Sequence, residues 1–359
     1  MSSKLRPLYD KLYMSIDTWV VGFRSNKKGK KRAKYISRAE DFNKEYRTQV
    51  LPFWKKYGVK PKKYWFVIFS QNHEHVDARY IPNDIWFKKI IPHFNHLLFA
   101  QAFQDKCMNN VFVPDMAHPK TVVKNINGIF YDDDLHVITK ENAIERCMDS
   151  GRFIIKPSVG SGQGDDIRFY NGFELSENDA VNIFNNYKKN FLIQEKATQH
   201  KVLSSLNENS LNTLRIVTFL YKNEVRILSV VLRMGAGESE IDNVSKGGFA
   251  CKVNFDGRLD KYAVNRKGEW VTEHPNGTVF EDIVIPNYDK IIESVKNAAE
   301  KLGHFCILGW DIAVGENAEP IFIEYNVIPD QNQKTWGPTF GDKTEEILDE
   351  VYAKERKAK

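Results

Sequence analysis

The chain of 359 residues lacks the features that mark secreted, zinc-binding or membrane-spanning proteins. Its four cysteines show neither CxxC spacing nor a dense framework, which indicates a reducing compartment without structural zinc. No early apolar segment resembles a signal peptide, and no run approaches the roughly 20 apolar residues that a membrane-spanning helix needs. We therefore expect a cytoplasmic protein that does not cross a membrane.

The sequence also lacks a general excess of positive charge. The formal charge is +5, yet residues 27–34 alone contribute six lysines and arginines and no acid. The rest of the chain is therefore nearly neutral. A nucleic-acid-binding domain normally carries a basic face throughout, so we expect no nucleic-acid partner.

Apolar residues, in contrast, make up 42% of the chain, enough for two or three lobes with their own cores. Before the basic segment they recur at intervals of three and four, which predicts an amphipathic helix. Two interpretations stay open. The helix packs on the body and a solvated basic loop follows it, or residues 5–34 form a peripheral membrane contact at the inner face of the membrane, with the lysines on anionic lipids.

Acids embedded in apolar sequence near the C-terminus are the most informative residues. Asp311 lies in one apolar run, and Glu324 and Asn326 lie in a second run beyond a turn that contains glycine and proline. Both runs are predicted strands of one hairpin. If the hairpin closes symmetrically about residues 317 and 318, Asp311 lies opposite Glu324, with Cβ atoms roughly 5 Å apart.

Two opposed carboxylates repel each other unless a cation lies between them. Alternation along a strand places Asn326 on the same face as Glu324, and three oxygen ligands on a hairpin suit Mg²⁺. The alternative is that Asp311 and Glu324 are unrelated edge-strand charges that face water. Their apolar surroundings argue against it, because an unpaired charge is costly there.

A glycine-rich loop interrupts an alternation of predicted strands and helices between residues 121 and 195, which indicates a compact α+β lobe. Strands flank the loop on both sides, whereas a Walker A loop or a dinucleotide fingerprint would open a helix. The loop is therefore predicted to be a hairpin whose backbone N–H groups fold over phosphates, with Lys156 supplying a charge, or else a ligand-free turn.

A glycine flap, the strand lysine before it and a distant hairpin with Asp and Glu-x-Asn together resemble the ATP-grasp superfamily. A closer resemblance, to its sugar-transfer-associated branch, is carried by residues 210–218, 232–235, 242–243, 247–248, 309–312 and 323–326. It implies an α+β fold in which two α+β lobes clamp ATP after a mainly helical N-terminal region. The implied boundaries are a helical region 1–103, an N-lobe 104–196, a C-lobe 197–345 and a charged C-terminal tail 346–359.

The resemblance also implies ATP and Mg²⁺ as cofactors and a role for each matching residue. The residues that would contact ATP are Lys124 and Lys156 at the α- and β-phosphates, Gly160, Ser161, Gly162, Gln163 and Gly164 over the β- and γ-phosphates, and Gln194, Glu195 and Lys196 at the adenine. Asp311, Glu324 and Asn326 would hold Mg²⁺. The catalytic residues would be Arg215, Arg233 and Lys156, and Asn243, Gly247 and Gly248 would shape the acceptor side.

The function that this resemblance implies is an ATP- and Mg²⁺-dependent carboxylate–amine ligase, working through an acyl phosphate. It would act in polysaccharide or glycoconjugate assembly, with a carboxylate and an amine as substrates. Two alternatives stay open: an ATP-grasp kinase that phosphorylates a sugar hydroxyl, and a nucleotide-sensing module at the membrane surface that does not turn over ATP.

Overall fold

The computed structural model describes residues 6–33, 36, 42–160, 166–240, 242, 244 and 247–356. The helices are α1 (Arg6–Ala33), α2 (Asn43–Glu45), α3 (Leu51–Lys55), α4 (Lys63–Phe69), α5 (Asn83–Ile85), α6 (Ile91–Phe94), α7 (Ala100–Phe103), α8 (Asn109–Phe112), α9 (Lys140–Met148), α10 (Glu177–Tyr187), α11 (Lys201–Ser204), α12 (Tyr288–Lys301), α13 (Gln333–Trp336) and α14 (Thr344–Arg356). The strands are β1 (Thr121–Ile126), β2 (Ile129–Tyr131), β3 (Val137–Ile138), β4 (Arg152–Pro157), β5 (Arg168–Asn171), β6 (Phe191–Glu195), β7 (Thr213–Tyr221), β8 (Glu224–Met234), β9 (Phe249–Val253), β10 (Leu259–Asn265), β11 (Trp270–Val271), β12 (Ile307–Val314) and β13 (Pro320–Asn326).

The first sheet has the strand order β3-β2-β1-β6-β4-β5, with every pair antiparallel. Alternate residues such as Phe153, Ile155 and Ile193 are buried in one cluster with apolar residues of α9 and α10. Ser176 starts α10 with a capping box, in which its hydroxyl accepts from the backbone N–H of Asp179. One face of this sheet is therefore covered by helices, and the opposite face is available for ligand binding.

The second sheet has the order β11-β10-β9-β8-β7-β12-β13, again with antiparallel pairs. Leu214, Ile216 and Leu232 point to one face and share a buried cluster with apolar residues of α12. Because side chains alternate along a strand, Arg215 and Arg233 point to the opposite face. We call this opposite face the arginine face.

The N-terminal helices cover the part of the arginine face that lies away from both arginines. Val217 and Phe219 of β7 share a cluster with the buried Trp54 and Trp86. The predicted α+β architecture, with a mainly helical region before two sheets, is confirmed. The exact domain boundaries stay a prediction.

Helix α1 continues through most of the basic segment, so the interpretation of that segment as a loop is wrong for residues 27–33. The helix packs through residues that an apolar pattern does not reveal. Gly29 faces the ring of Trp65, and Asn26 accepts hydrogen bonds from Tyr64 and Trp65. Phe23 of the predicted apolar stripe is 56% exposed. The peripheral membrane contact stays a prediction.

The C-terminal residues 346–356 are not a free tail. They belong to α14, whose Ile347, Leu348 and Tyr352 are buried in the cluster of the N-terminal helices. The many charges of this segment hid the short apolar stripe that anchors it. Within the described ranges, no helix combines the length and the apolar character needed to cross a membrane.

Candidate active site

The acids of the C-terminal hairpin lie opposite each other. β12 pairs with β13 so that Asp311 is opposite Glu324 and Gly309 is opposite Asn326. Directly opposed residues share a face of the sheet, so the three predicted metal ligands point to the same side. The pairing that the sequence predicts is confirmed.

The turn itself is not symmetric in the way the sequence suggested. Val314 pairs with Pro320, which centres the turn on Asn317. A β-bulge after Asp311 then admits one additional residue of β13 and brings Glu324 into register. The bulge is therefore the feature that sets the two carboxylates against each other.

The neighbouring strand adds an arginine to this pair. Asp311 is also opposite Arg215 on β7, and the guanidinium donates two hydrogen bonds to the carboxylate, from Nε to Oδ1 at 2.6 Å and from Nη2 to Oδ2 at 2.7 Å. Arg233 on β8 lies farther away, with Nη1 3.4 Å from Asp311 Oδ1. Asp311 is only 5% exposed, so loss of its bidentate partner would leave an uncompensated buried charge, which is far more costly than loss of a surface ion pair.

The two arginines differ in how well their charge is compensated. Burial by itself would lower the pKa of Arg215, but Asp311 more than offsets it and the pKa is raised. Burial and the charge of Arg215 lower the pKa of Arg233. Burial would raise the pKa of Asp311, yet the two arginines hold it below its usual value. The charge of Arg215 is therefore compensated by Asp311, whereas the charge of Arg233 is only partly compensated and can attract an anionic ligand.

Asn326 has a polar group without a partner. Its side-chain N–H₂ group is buried and finds no hydrogen-bond acceptor among the described residues. Those residues also contain no group of three or more His, Cys, Asp or Glu side chains placed to hold a metal ion. A metal on this hairpin would therefore use two carboxylates and one amide.

The first sheet faces the hairpin with lysines. Lys124 and Lys156 are both paired with Leu192, so they lie on the same face of that sheet, away from its helices. Burial lowers the pKa of Lys156 to about 8, although the charge of Glu324 opposes the shift. Lys106 Nζ lies 3.6 Å from Glu324 Oε2. No motif in the sequence marks Lys106 as a residue of the site.

Lys124 is less available than the sequence suggested. Its Nζ donates to Asn110 Oδ1 at 3.0 Å and to the backbone carbonyl of Asp133 at 2.7 Å, and it also pairs with the Asp133 carboxylate at 3.4 Å. All three ammonium donors therefore have protein partners. A phosphate contact by Lys124 stays a prediction, while Lys156 and Lys106 are the lysines directed at Glu324.

The glycine flap follows Lys156. Gly160 adopts a φ of +70°, a conformation that favours glycine, and no atom lies within 4 Å of the position that a Cβ would take. Ser161, Gly162, Gln163 and Gly164 lie outside the described residues, so their predicted contacts with phosphates stay predictions.

A cavity of about 510 Å³ lies where the two sheets meet, and Glu195 and Lys196 are among its lining residues. Arg152 at the start of β4 and Glu316 at the hairpin turn line it as well. Gln194 does not line this cavity, and its side-chain N–H₂ donates to the carbonyl of Pro119. Two of the three predicted adenine residues are thus placed on a cavity wall.

On the acceptor side, Asn243 lies outside the described residues. Gly247 has a φ of +108° and Gly248 is buried. A further acid, Asp242, accepts hydrogen bonds from the backbone N–H and the hydroxyl of Thr213. Burial raises its pKa to about 6, against the opposing charge of Arg233. Asp242 is therefore fixed on the start of β7, and its charge acts on Arg233.

Lys156 allows a direct test of where the phosphates bind. Lys156→Ala is expected to weaken ATP binding by about 1.5–3 kcal/mol, the usual contribution of a charged hydrogen bond, and to leave adenosine binding unchanged. Calorimetric titration with each ligand measures both. The exposed Lys189 of the same lobe provides the control, since Lys189→Ala should change neither affinity. Equal weakening of ATP and adenosine would place the phosphates elsewhere.

Comparison with known proteins identifies the family of the chain. Residues 88–334 match the model of the family described as sugar-transfer associated ATP-grasp. The chain therefore has the ATP-grasp fold. It belongs to the sugar-transfer associated ATP-grasp family, because the match spans more than half of its length. No curated protein matches the chain.

Solved structures are similar only at a distance. The ATP-grasp ligase PsnB, complexed with a phosphomimetic variant of minimal precursor, Mg and ADP, is 13% identical, with a TM-score of 0.41 over 72% of this chain and 61% of its own. D-alanyl-alanine synthetase A from Vibrio cholerae is 11% identical, with a TM-score of 0.40 over 70% and 64%. D-alanine–D-alanine ligase from Bacillus anthracis is 10% identical, with a TM-score of 0.39 over 71% and 69%. The chain thus spans less than two thirds of the first two.

Proposed function

We propose that the protein is an ATP- and Mg²⁺-dependent ligase that joins a carboxylate to an amine in polysaccharide or glycoconjugate assembly. The observation that carries the proposal is the meeting of charged side chains from both sheets around the β12–β13 hairpin. Lys156 of the first sheet and Lys106, in a 3₁₀ turn that precedes this sheet, lie against Glu324 of the second sheet. Arg233 lies beside Asp311 with its charge only partly compensated. Cations outnumber carboxylates here, which suits a polyphosphate.

The residues present fit a Mg²⁺–ATP complex. Asp311 and Glu324 supply opposed carboxylates, and Asn326 adds an amide oxygen of the kind that binds Mg²⁺. The buried N–H₂ group of Asn326 lacks an acceptor among the described residues, and a phosphate oxygen would supply one. Asp311 Oδ1 accepts from Arg215 and, at 3.4 Å, from Arg233, whereas Oδ2 accepts from Arg215 and keeps a second lone pair for a metal. When bound, Mg²⁺ would neutralise phosphate charge on this hairpin.

The proposed reaction has two steps, both of which depend on positioning. A carboxylate oxygen of the acceptor attacks the γ-phosphorus of ATP, the bond to the β-phosphate oxygen breaks, and ADP leaves. The amine nitrogen then attacks the acyl carbon of the acyl phosphate, inorganic phosphate leaves with the electron pair of the C–O bond, and the nitrogen loses a proton. No protein nucleophile is required.

Arg233 and Lys156 have distinct parts in this scheme. Negative charge spreads over the transferred phosphoryl oxygens, and preorganised cations stabilise that charge without reorganisation. Arg233 side-chain exposure of 25% leaves it open to a substrate, whereas Lys156 is almost fully buried. We assign Arg233 to the transferred group or the acid, Lys156 to the ATP phosphates, and Arg215 to the orientation of Asp311.

Hydroxylamine tests the proposal because it intercepts acyl phosphates. Incubation with ATP, Mg²⁺, hydroxylamine and a panel of uronic acids or amino acids is expected to give a hydroxamate together with ADP and phosphate. Arg233→Ala should suppress the hydroxamate at least tenfold, because a charge contact to the reacting group is lost. Arg226→Ala is the matched control, since Arg226 lies on the same strand but pairs with Glu224 at the surface.

Two other outcomes are informative. If no carboxylate gives a hydroxamate and a sugar hydroxyl gains phosphate instead, the protein is a kinase and the ligase proposal fails. If ATP binds with no turnover under any condition, the nucleotide-sensing alternative takes its place.

A further inference from the structure

The arginine face continues past the two arginines to the far edge of the sheet. Arg233 is opposite Ala250, Ala250 is opposite Val264, and Val264 is opposite Trp270. Directly paired residues share a face, so Trp270 stands in the same row as Arg233. Three strand spacings separate their backbones, roughly 14 Å.

A lysine stands in the adjacent row of this face. Asp311 is opposite Arg215, Arg215 is opposite Val231, and Val231 is opposite Lys252. Helix α13 places Lys334 beside Trp270 and Trp336 beside Lys252, at the same edge of the sheet. We call Lys252, Lys334, Trp270 and Trp336 the lysine–tryptophan cluster.

Each lysine of the cluster is held by an indole ring. Lys252 Nζ lies 5.1 Å from the ring centroid of Trp336, and Lys334 Nζ lies 5.6 Å from that of Trp270. A cation–π contact orients an ammonium group but leaves its net charge in place. The ammonium groups therefore remain able to attract an anion.

The charges of this cluster are uncompensated. In the part of the chain that the structure describes, neither Lys252 nor Lys334 forms an ion pair with a carboxylate. Burial and the charge of Arg32 lower the pKa of Lys334 to about 8. Burial, followed by the charge of Lys252, lowers the pKa of His73. The indole N–H of Trp270 is buried and has no acceptor among the described residues.

We propose that the lysine–tryptophan cluster binds an anionic group of the acceptor at a distance from the reacting carboxylate. Among the described residues, two ammonium groups without a carboxylate partner and an indole N–H without an acceptor together form a donor set for a carboxylate or a phosphate. The distance between the backbones of Arg233 and Trp270, roughly 14 Å, exceeds the length of one sugar ring. The acceptor is therefore an extended acidic molecule, either an acidic oligosaccharide or a sugar carried on a nucleoside diphosphate, and this identification rests on the proposed function.

Arg32 links the cluster to the N-terminal helix. It is the single arginine of the basic segment, and its charge acts on Lys334. The end of the basic segment thus adds positive potential to the same edge of the sheet. An acceptor of high negative charge would be attracted to this edge before it docks.

Binding measured without ATP tests the cluster independently of the reaction. Calorimetric titrations with trigalacturonate and with uridine diphosphate-glucose are compared with galacturonate and neutral maltotriose. At least one of the two extended anions is expected to bind the wild type at least tenfold more tightly than either control sugar. Which of them binds shows whether the anion is a carboxylate or a phosphate.

The double variant Lys252→Gln/Lys334→Gln should weaken that binding by about 100-fold, since each lost charged hydrogen bond accounts for roughly tenfold or more. Lys261→Gln is the matched control, because Lys261 also lies over an aromatic ring of this sheet, that of Tyr262, but is exposed. An unchanged unfolding midpoint and unchanged ATP affinity show that the double variant is folded.

The proposal is overturned if neither extended anion binds more tightly than the control sugars, or if the double variant binds it as the wild type does. These failures differ from a failure of the proposed reaction. If the lysine–tryptophan cluster does not affect anion binding but hydroxamate still forms, only the proposed anion site is wrong. If anion binding depends on both lysines but no acid gives a hydroxamate, the anion site is supported and the proposed ligase activity is wrong.

Discussion

Replacing Glu324 with glutamine is expected to reduce Mg²⁺-dependent ADP formation by at least about 100-fold while the protein stays folded. Loss of a group that merely orients a metal ligand often costs 10–100-fold in metal affinity, so loss of a ligand charge should cost no less. The stability change should be small. Glu324 is partly exposed, and its ion pair with Lys106 spans 3.6 Å, which contributes no more than about 1 kcal/mol.

The measurement is ADP release over a titration of Mg²⁺ at saturating ATP. Higher Mg²⁺ should restore part of the rate, since the variant keeps Asp311 and Asn326. Glu293→Gln is the control, because Glu293 is exposed on α12, on the far side of the sheet. A Glu324→Gln variant that releases ADP at the wild-type rate at every Mg²⁺ concentration would exclude the hairpin as the metal site.

The second large effect concerns stability. Arg215→Leu should lower the free energy of unfolding by about 3–5 kcal/mol, because it leaves the buried carboxylate of Asp311 without its bidentate partner. Arg233→Leu should change it by no more than about 1 kcal/mol, since its contact with Asp311 is long and its side chain is 25% exposed. Urea denaturation of both variants measures the difference.

The double variant Arg215→Leu/Asp311→Leu supplies the internal check. It removes both buried charges together, so it should regain a large part of the stability that Arg215→Leu loses. If Arg215→Leu and Arg233→Leu destabilise the protein equally, the two arginines share Asp311, and the division of roles between them is wrong.

Local signals explain why several elements could be predicted. In the predicted α+β lobe between residues 121 and 195, α10 has a capping serine before it and a helical apolar pattern, and β6 is a short apolar run. The pairing of Asp311 opposite Glu324 could also be predicted, because a hairpin joins strands that are close in sequence. Even there, the bulge that sets the register left no mark in the sequence.

Contacts between distant segments could not be predicted in the same way. Nothing near Asp311 shows that Arg215 will occupy both of its oxygens, and nothing near Lys124 shows that Asp133 will hold its ammonium group. The many charges of α14 conceal the apolar residues that anchor it on the N-terminal helices, which are Ile347, Leu348 and Tyr352.

The sequence by itself determined the family, the α+β class and the residue types of the metal hairpin, because these depend on short motifs and on local periodicity. Only the tertiary structure decided which charges are compensated. It pairs Arg215 with Asp311, leaves Arg233 open, and gathers Lys252 and Lys334 at one edge of the sheet. The physical reason is that the strength of a charge in a protein depends on burial and on its partners, and both are set by segments far apart in the chain.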